Sequence, residues 1–252
     1  MDVKMAFLHG DLEEEVYMEQ PEGMKEPSKE DWVCYMHKTL YGLMQAAWAW
    51  NLWLHYTMLG IGYMCTSADH CIYMHDTPTS ASIMAIHIDD MCIVASSGAE
   101  MVKLKLELGK LFTLVDLGEL TWLLGVTVTR DGCTRTVSLS QAAYIKSIAK
   151  HLHLEDAHPV TTPLYPHVIL SKDLCPTSDE EVRCMKKIPY LTVVRSIMYA
   201  AIGMHPDLAF TVQHLSQFNC NPGHAHWTTA QHVVRYMYAM RHRALVLCGP
   251  DI

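Results

Sequence analysis

Positive charge is the first thing that this sequence lacks. Its 252 residues carry 19 Lys and Arg against 27 Asp and Glu, a formal net charge of -8. A protein that grips nucleic acid with its whole surface is normally basic, because cations make the phosphate contacts. The balance therefore excludes a general phosphate-binding surface, but it does not exclude a positive groove confined to one face.

Paired cysteines are also missing. Nine cysteines occur without a C-x-x-C pair, and the spacings of Cys65 with Cys71 and of Cys175 with Cys184 match no common zinc site. We predict buried, free thiols in a protein of a reducing compartment.

Long hydrophobic runs are absent as well, although half of the residues are apolar, as in a folded globular protein. The longest apolar stretch, residues 192–210, is interrupted by Arg195, His205 and Pro206. A membrane helix needs about 20 mainly apolar residues, and a secretory leader needs an apolar core near the N-terminus. The sequence predicts neither, which favours an intracellular protein.

The periodicity of apolar residues predicts an α+β fold. Helical spacing predicts helices at 45–59, 97–111, 145–152, 179–185, 190–202, 207–218 and 227–240. Short β-like runs predict strands at 3–8, 71–74, 83–95, 122–129 and 136–139. A loop is expected at 17–23, and a proline-rich irregular connector begins at residue 158. This order indicates a small antiparallel sheet backed by helices, followed by a mostly helical C-terminal region.

Two adjacent acids interrupt the run at 83–95. Asp89 and Asp90 have apolar residues on both sides, and a strand interior would hardly tolerate such a pair, so we place it at a hairpin turn. Nucleotidyl transfer uses two divalent cations about 3.5–4 Å apart, held by carboxylates from different strands. Asp2 with Asp89 and Asp90 could supply them. On these residues alone, an incidental solvated turn stays an open alternative.

Motifs along the whole chain resemble the reverse transcriptases of copia-type retrotransposons. The stretch at residues 2–23, DVKMAFLHGDLEEEVYMEQPEG, resembles the opening of that family's catalytic palm. In order, the further matches are Leu40-Tyr41-Gly42-Leu43-Met44-Gln45-Ala46, His87-Ile88-Asp89-Asp90, Asp116-Leu117-Gly118-Glu119, Leu124-Gly125, Leu139-Ser140-Gln141, Tyr144-Ile145, Pro206-Asp207-Leu208-Ala209 and His226-Trp227. So many ordered matches make chance a poor explanation.

The resemblance implies an RNA-directed DNA polymerase, a nucleotidyltransferase, with two Mg²⁺ ions as cofactors. Asp2 and Asp89 would ligate the metal ions, and Asp90 would be the neighbouring catalytic acid, since hard oxygen ligands suit Mg²⁺. Phe7 would lie under the sugar of the incoming nucleotide as a steric gate against a 2′-hydroxyl. Gln45 would contact the same nucleotide.

The family's organisation implies further expectations. Residues 1–157 would form the palm and the start of the thumb, 158–177 a connector, and 178–252 a helical thumb or connection region that leads toward a ribonuclease H domain. The hairpin at 122–129 would grip the primer end. The implied partners are an RNA or DNA template with its primer, deoxynucleoside triphosphates and other parts of the element's polyprotein, including a fingers segment. No membrane partner is implied, and the location would be cytoplasmic, in a virus-like particle for an intact element.

Several residues depart from the family pattern at places that matter. His87 stands where the family has Tyr, and Met44, Ala47 and Trp48 stand where Lys, Pro and Arg are usual. Two cations near phosphates are thereby lost, and neither Met nor Trp can replace them. Arg195 replaces Gly in an apolar helical stretch, where we expect overpacking or an unpaired buried charge.

Three functions stay open at this point. The chain is an RNA-directed DNA polymerase, a catalytically dead copy of a decayed element that retains only the fold or weak nucleic-acid binding, or an α+β interaction protein with incidental acids. Because Asp2 opens the sequence, the family's preceding fingers segment is expected to be missing. We therefore predict little or no primer extension by this chain alone.

Overall fold

The computed structural model describes residues 1–165 and 168–248, and the chain divides into two compact units, Met1–Glu119 and Leu120–Ile252. Pro166 and His167 of the predicted connector and residues 249–252 lie outside the described part. Every strand pairing between the described strands is antiparallel, which confirms the predicted α+β class with antiparallel sheets. The palm, connector and thumb assignments stay predictions; their boundaries at 157/158 and 177/178 fall inside the second unit.

The first unit is built on a six-stranded sheet. Its strands are β1 (Asp2–Val3), β4 (Met64–Cys65), β5 (Ile72–Thr77), β6 (Ser80–His87), β7 (Asp90–Ala95) and β8 (Leu114–Val115), in the order β4-β5-β6-β7-β1-β8. A separate two-stranded sheet pairs β2 (Tyr17–Glu19) with β3 (Val33–Tyr35). The helices are α1 (Ala46–Gly60) and α2 (Gly98–Leu111), and a 3₁₀ turn spans Ala6–His9.

One face of the large sheet is buried against the two helices. Burial alternates along β6, where Ser82, Met84 and Ile86 are buried and their neighbours are exposed. The buried side chains pack with Trp50 of α1 and Leu104 of α2 in one core cluster. Burial of each large apolar side chain contributes about 1.5–3 kcal/mol. The predicted pattern of a sheet backed by helices is therefore found in the first unit.

The 3₁₀ turn packs closely on α1 because Gly10 has no side chain. A Cβ at Gly10 would lie 2.9 Å from the Cβ of Ala49, which is closer than real Cβ contacts. The hydroxyl of Thr39 also donates hydrogen bonds to the carbonyls of Phe7 and Gly10. These contacts fix the turn that carries Phe7 against the helix.

The start of the chain departs from the predictions in two places. The run at 3–8 is only the end of a strand entering a turn: Val3 ends β1, and Met5 adopts a left-handed conformation with φ 56° that leads into the 3₁₀ turn. The predicted loop at 17–23 begins instead with β2, a short strand paired with β3. With only three residues, Tyr17–Glu19, this strand is too short to show a clear pattern in the sequence.

The second unit combines a four-stranded sheet with a helical core. Its strands are β9 (Trp122–Leu123), β10 (Val126–Asp131), β11 (Thr136–Ser140) and β12 (Leu245–Cys248), in the order β12-β11-β10-β9. Its helices are α3 (Ala142–His151), α4 (Asp179–Met185), α5 (Tyr190–Gly203), α6 (Ala209–Ser216) and α7 (His224–Met240). Residues of α3, α5, α6 and α7 form one apolar cluster. The predicted helices are confirmed, whereas β12 was not predicted.

The irregular segment after α3 packs on α7 instead of spanning open space. The guanidinium of Arg235 donates two hydrogen bonds to the carbonyl of His158, at 2.9 and 2.7 Å. The Nε2 of His232 lies 2.8 Å from the carbonyl oxygen of Thr162, and Val160 packs against the apolar cluster. These contacts hold the segment within the second unit.

Two further expectations about side chains are wrong. Arg195 is exposed on α5, so its charge is neither buried nor overpacked. The nine cysteines are free, but each of them is half-buried or exposed. In the part of the chain that the structure describes, no helix is both long and apolar enough to cross a membrane.

Candidate active site

The two adjacent acids lie at a tight hairpin, as predicted. Strands β6 and β7 pair up to His87 and Asp90, so Ile88 and Asp89 form the turn and Asp90 begins the second strand. Ile88 has a φ of 58°, which is a strained conformation for a β-branched residue. Ile88 immediately precedes Asp89 and Asp90, so this strain lies next to the two acids.

Asp2 lies directly opposite Asp90 on the neighbouring strand. The amide of Val3 donates to the carbonyl of Asp89, and the amide of Met91 donates to the carbonyl of Met1, each at 2.8 Å. These bonds flank the two acids, which therefore form a non-hydrogen-bonded pair. In such a pair the Cα atoms are about 4.5 Å apart and the side chains project from the same face of the sheet. The fold thus brings the first acid of the sequence beside the Asp89-Asp90 hairpin.

The charge around this pair is only partly balanced. The ammonium of Lys4 lies 3.2 Å from a carboxylate oxygen of Asp2, whose side chain is 27% exposed. Like charges that face each other across a sheet destabilise it. Mg²⁺ is usually bound by one or two carboxylates together with substrate phosphates. Two opposed carboxylates with one ammonium as counter-charge therefore fit a divalent cation by the chemistry of their oxygen donors.

A metal centre built from three side chains is not seen. Among residues 1–165 and 168–248, no group of three or more His, Cys, Asp or Glu is arranged to hold a metal ion. Asp2 and Asp90 are in register, whereas Asp89 belongs to the turn. The predicted assignment of Asp2 and Asp89 as the two ligands stays a prediction.

Phe7 lies on the wall of a cavity of about 200 Å³ in the first unit. The other walls include Trp50 from α1 and His87 and Ile88 from the hairpin. The ring of Phe7 also contacts that of Tyr41, with centroids 4.8 Å apart. Phe7 and two residues of the hairpin, His87 and Ile88, therefore border the same space, and the role of Phe7 at a nucleotide stays a prediction.

Gln45 immediately precedes α1, and its side chain is engaged elsewhere. Its amide donates a 2.6 Å hydrogen bond to the carboxylate of Glu14. Gln45 does not line the cavity, although Ala47 does. The bond to Glu14 engages only the nitrogen of the Gln45 amide, and the contact of Gln45 with a nucleotide stays a prediction.

Near the start of α1, the two positions where the family pattern has Lys and Arg carry no cation in this chain. Met44 is 95% exposed and Trp48 is 59% exposed. Both side chains project toward solvent at the positions where the family resemblance places Lys and Arg. The structure therefore offers no compensating charge from these two positions.

Sequence reasoning missed one residue of this region. Trp50 was predicted only as part of the apolar stripe of a helix, yet its indole N–H donates a 2.8 Å hydrogen bond to the carbonyl of Ile88. No spacing in the sequence links these two residues, because the contact joins a helix to a hairpin that follows much later in the chain.

The comparisons with known proteins identify the family. A family model described as reverse transcriptase (RNA-dependent DNA polymerase) matches residues 1–166. The retrovirus-related Pol polyprotein from transposon TNT 1-94 of Nicotiana tabacum is 40% identical over 252 residues, which is 100% of the chain. The chain belongs to the reverse transcriptases of copia-type retrotransposons.

Other relatives agree with this family. The retrovirus-related Pol polyprotein from transposon RE1 of Arabidopsis thaliana is 30% identical over 94% of the chain. The putative transposon Ty5-1 protein of Saccharomyces cerevisiae is 29% identical over 97% of the chain and covers 77% of its own length. This reverse transcriptase chain spans 19% of the tobacco polyprotein and 16% of the RE1 polyprotein. No solved structure matches it.

Proposed function

We propose that this chain is the palm-containing part of an RNA-directed DNA polymerase that transfers nucleotides from a dNTP to a primer 3′-hydroxyl. Asp2, Asp89 and Asp90 would hold two Mg²⁺ ions. The observation that carries the proposal is the register of Asp2 opposite Asp90, because it gathers acids from two strands on one face of the sheet. Membership of the reverse transcriptase family supports it.

The chain's own residues have distinct parts in this proposal. When bound, the two Mg²⁺ ions would stabilise charge on the attacking 3′-oxygen and on the leaving pyrophosphate. Asp2 and Asp90 would supply oxygen ligands from facing strands, and Asp89 would do so from the turn. Phe7 would close the space beside the hairpin, so that a 2′-hydroxyl collides with its ring.

The partners follow from the same proposal. The template would be a primed RNA or DNA strand, and the nucleotides would be deoxynucleoside triphosphates. Other parts of a Pol polyprotein would complete the enzyme, since the tobacco relative is a polyprotein of which this chain spans 19%. The turn at Leu124 and Gly125, both with positive φ, connects β9 and β10 into the hairpin that would contact the primer end.

A second candidate function is favoured by the exposed Met44 and Trp48. A chain without cations at these positions would hold a triphosphate weakly, since charged hydrogen bonds to phosphate are the strong ones. Such a chain would keep the reverse transcriptase fold and bind template without extending a primer.

Primer extension separates the two candidates. The full chain is incubated with Mg²⁺, a primed RNA template and dNTPs, beside the Asp89→Asn variant. Extension by the wild type that disappears in the variant supports the polymerase. Salt-sensitive template binding without extension supports the second candidate, and equal extension by both proteins would exclude the proposed role of Asp89.

A further inference from the structure

The hairpin that carries Asp89 and Asp90 is tied to helix α1 by one side chain. Trp50 is 2% exposed, and its indole N–H donates a 2.8 Å hydrogen bond to the carbonyl of Ile88. The next carbonyl, that of Asp89, accepts the amide of Val3 at 2.8 Å. Two successive carbonyls of the turn are therefore held from opposite sides, one by the helix and one by the strand that carries Asp2.

The backbone of this turn is strained at Ile88. Ile88 has a φ of 58°, and a β-branched residue leaves that conformation unless its surroundings hold it there. Its side chain is 47% exposed, so burial of that side chain in the core does not supply the restraint.

The cavity beside the turn also indicates a role for Trp50. A cavity of about 200 Å³ lies between α1 and the hairpin, lined by Trp50 and Asn51 on one side and by His87 and Ile88 on the other. Because close packing does not fill this space, the hydrogen bond from Trp50 adds a directed restraint on the Ile88 carbonyl to the strand pairing of His87 with Asp90.

We infer that Trp50 is a positioning residue, whose indole N–H holds the strained Ile88–Asp89 turn so that the carboxylates of Asp89 and Asp90 stay beside Asp2. The inference rests on the proposed function of these acids as metal ligands. Residues that orient the ligands of a metal commonly change its affinity by about 10- to 100-fold when they are replaced. Trp50 would affect the affinity for the metal indirectly, because its hydrogen bond holds the backbone of the turn that carries Asp89 and Asp90.

Trp50→Phe tests the inference, with Trp53→Phe as its matched control. Both residues lie on α1 and their rings stack with centroids 5.7 Å apart, but the hydrogen bond to Ile88 belongs to Trp50. Phe keeps an aromatic ring and removes the N–H. In Trp50→Phe, amide hydrogen exchange at Val3 should become about fivefold faster, the change expected for one typical hydrogen bond. Trp53→Phe should leave it unchanged.

A rescue variant distinguishes loss of the hydrogen bond from Trp50 to Ile88 from a general destabilisation of the protein. Gly adopts positive φ without strain, so adding Ile88→Gly to Trp50→Phe should return Val3 exchange toward the wild-type rate. Equal exchange at Val3 in Trp50→Phe and the wild type, or equal acceleration by Trp50→Phe and Trp53→Phe, would overturn the inference.

Calorimetric titration with Mg²⁺ separates this inference from the proposed function. Trp50→Phe should bind Mg²⁺ about 10- to 100-fold more weakly than the wild type, and Trp53→Phe should bind it as the wild type does. Equal affinity in Trp50→Phe and the wild type would overturn the inference and leave the proposed function standing. If the wild type itself binds no Mg²⁺, the proposed function fails, while the exchange of Val3 still decides whether Trp50 holds the turn.

If Trp50→Phe does not fold, NMR spectra of the wild-type protein with ¹⁵N-labelled tryptophan test the inference during titration with Mg²⁺. The indole resonance of Trp50 should shift as Mg²⁺ saturates the protein, and that of Trp53 should shift less. A Trp50 resonance that stays in place at saturation would overturn the inference.

Discussion

Asp2 and Asp90 face each other across two antiparallel strands, between backbone hydrogen bonds that leave both side chains on one face of the sheet. Like charges in this position cost stability. Lys4 pairs with Asp2 but is 51% exposed, so it offsets little of that cost. Binding of a cation by the two carboxylates would offset this cost, which is the reason we propose this pair as part of a metal site.

Removal of one of the two facing charges should stabilise the free protein. We expect Asp90→Asn to raise the free energy of unfolding by about 0.2–1 kcal/mol in the absence of divalent cations, since repulsion from Asp2 is relieved. Urea unfolding at low salt measures the change. Asp76→Asn, at an exposed position of β5 in the same sheet, is the control and should have no such effect. An unchanged or lower stability of Asp90→Asn would mean that the two carboxylates do not repel each other.

Cations restored beside α1 should increase polymerase activity. Met44 and Trp48 are exposed, so Lys and Arg fit at these positions without disturbing the core. We expect the double variant Met44→Lys, Trp48→Arg to extend a primed template about tenfold or more faster than the wild type, because groups that stabilise developing charge contribute effects of this size. Val102→Lys with Leu106→Arg, two exposed positions on α2, adds the same charge as a control. Equal gains in the two double variants would show a general charge effect.

Stability of the second unit should fall in mild acid. Burial lowers the pKa of His205, His226 and His232 below the ordinary value of 6.5. The unfolded chain therefore takes up protons first as the pH falls below 6.5, and each histidine costs up to about 1.4 kcal/mol per pH unit until its folded-state pKa is reached. The slope fades as the pH rises above 6.5, because the histidines of the unfolded chain then lose their protons as well.

Unfolding by urea between pH 7.5 and 5 tests this linkage. His232→Gln should reduce the dependence of stability on pH, whereas His224→Gln, an exposed residue of the same helix, should leave it unchanged. The account of the buried histidines is wrong if stability is constant over that range, or if both variants flatten the dependence equally.

Gly223 should tolerate no side chain. A Cβ there would lie 1.8 Å from the carbonyl oxygen of Leu174, a backbone atom that cannot rotate away. We expect Gly223→Ala to destabilise the protein by about 1–3 kcal/mol through overpacking. Gly132→Ala is the control, because nothing lies within 4 Å of its Cβ. Equal stability of the two variants, measured by thermal unfolding, would contradict the packing of the segment before α4 on the start of α7.

Much of the fold could be predicted from local signals. Helix α4 has the ends that helical spacing predicted, and the structure adds a capping box formed by Ser178 and Glu181 at its start. Helix α2 likewise begins after Ser97, which accepts a hydrogen bond from the amide of Glu100. Strand β12 escaped prediction because its exposed residues, Leu245–Cys248, pair only with β11 and show no alternation of burial.

The candidate site was predicted in a different way. The turn at Asp89 follows from two acids within an apolar run, but the proximity of Asp2 was predicted only from the family's motifs. The link from Trp50 to Ile88 had no signal in the sequence, since it depends on tertiary packing of α1 against the hairpin. Sequence patterns report local conformational preference. Contacts between distant segments can be inferred only from resemblance to a known family or seen in a structure.

Calorimetric titration of the full chain with Mg²⁺ tests the central claim most directly, in the wild type and in Asp2→Asn, Asp90→Asn and Asp76→Asn. We predict saturable binding by the wild type, at least about tenfold weaker binding in the first two variants, and no change in the third. Wild-type affinity in Asp2→Asn and Asp90→Asn, or no binding by the wild type, would contradict the assignment of these facing acids to a metal site.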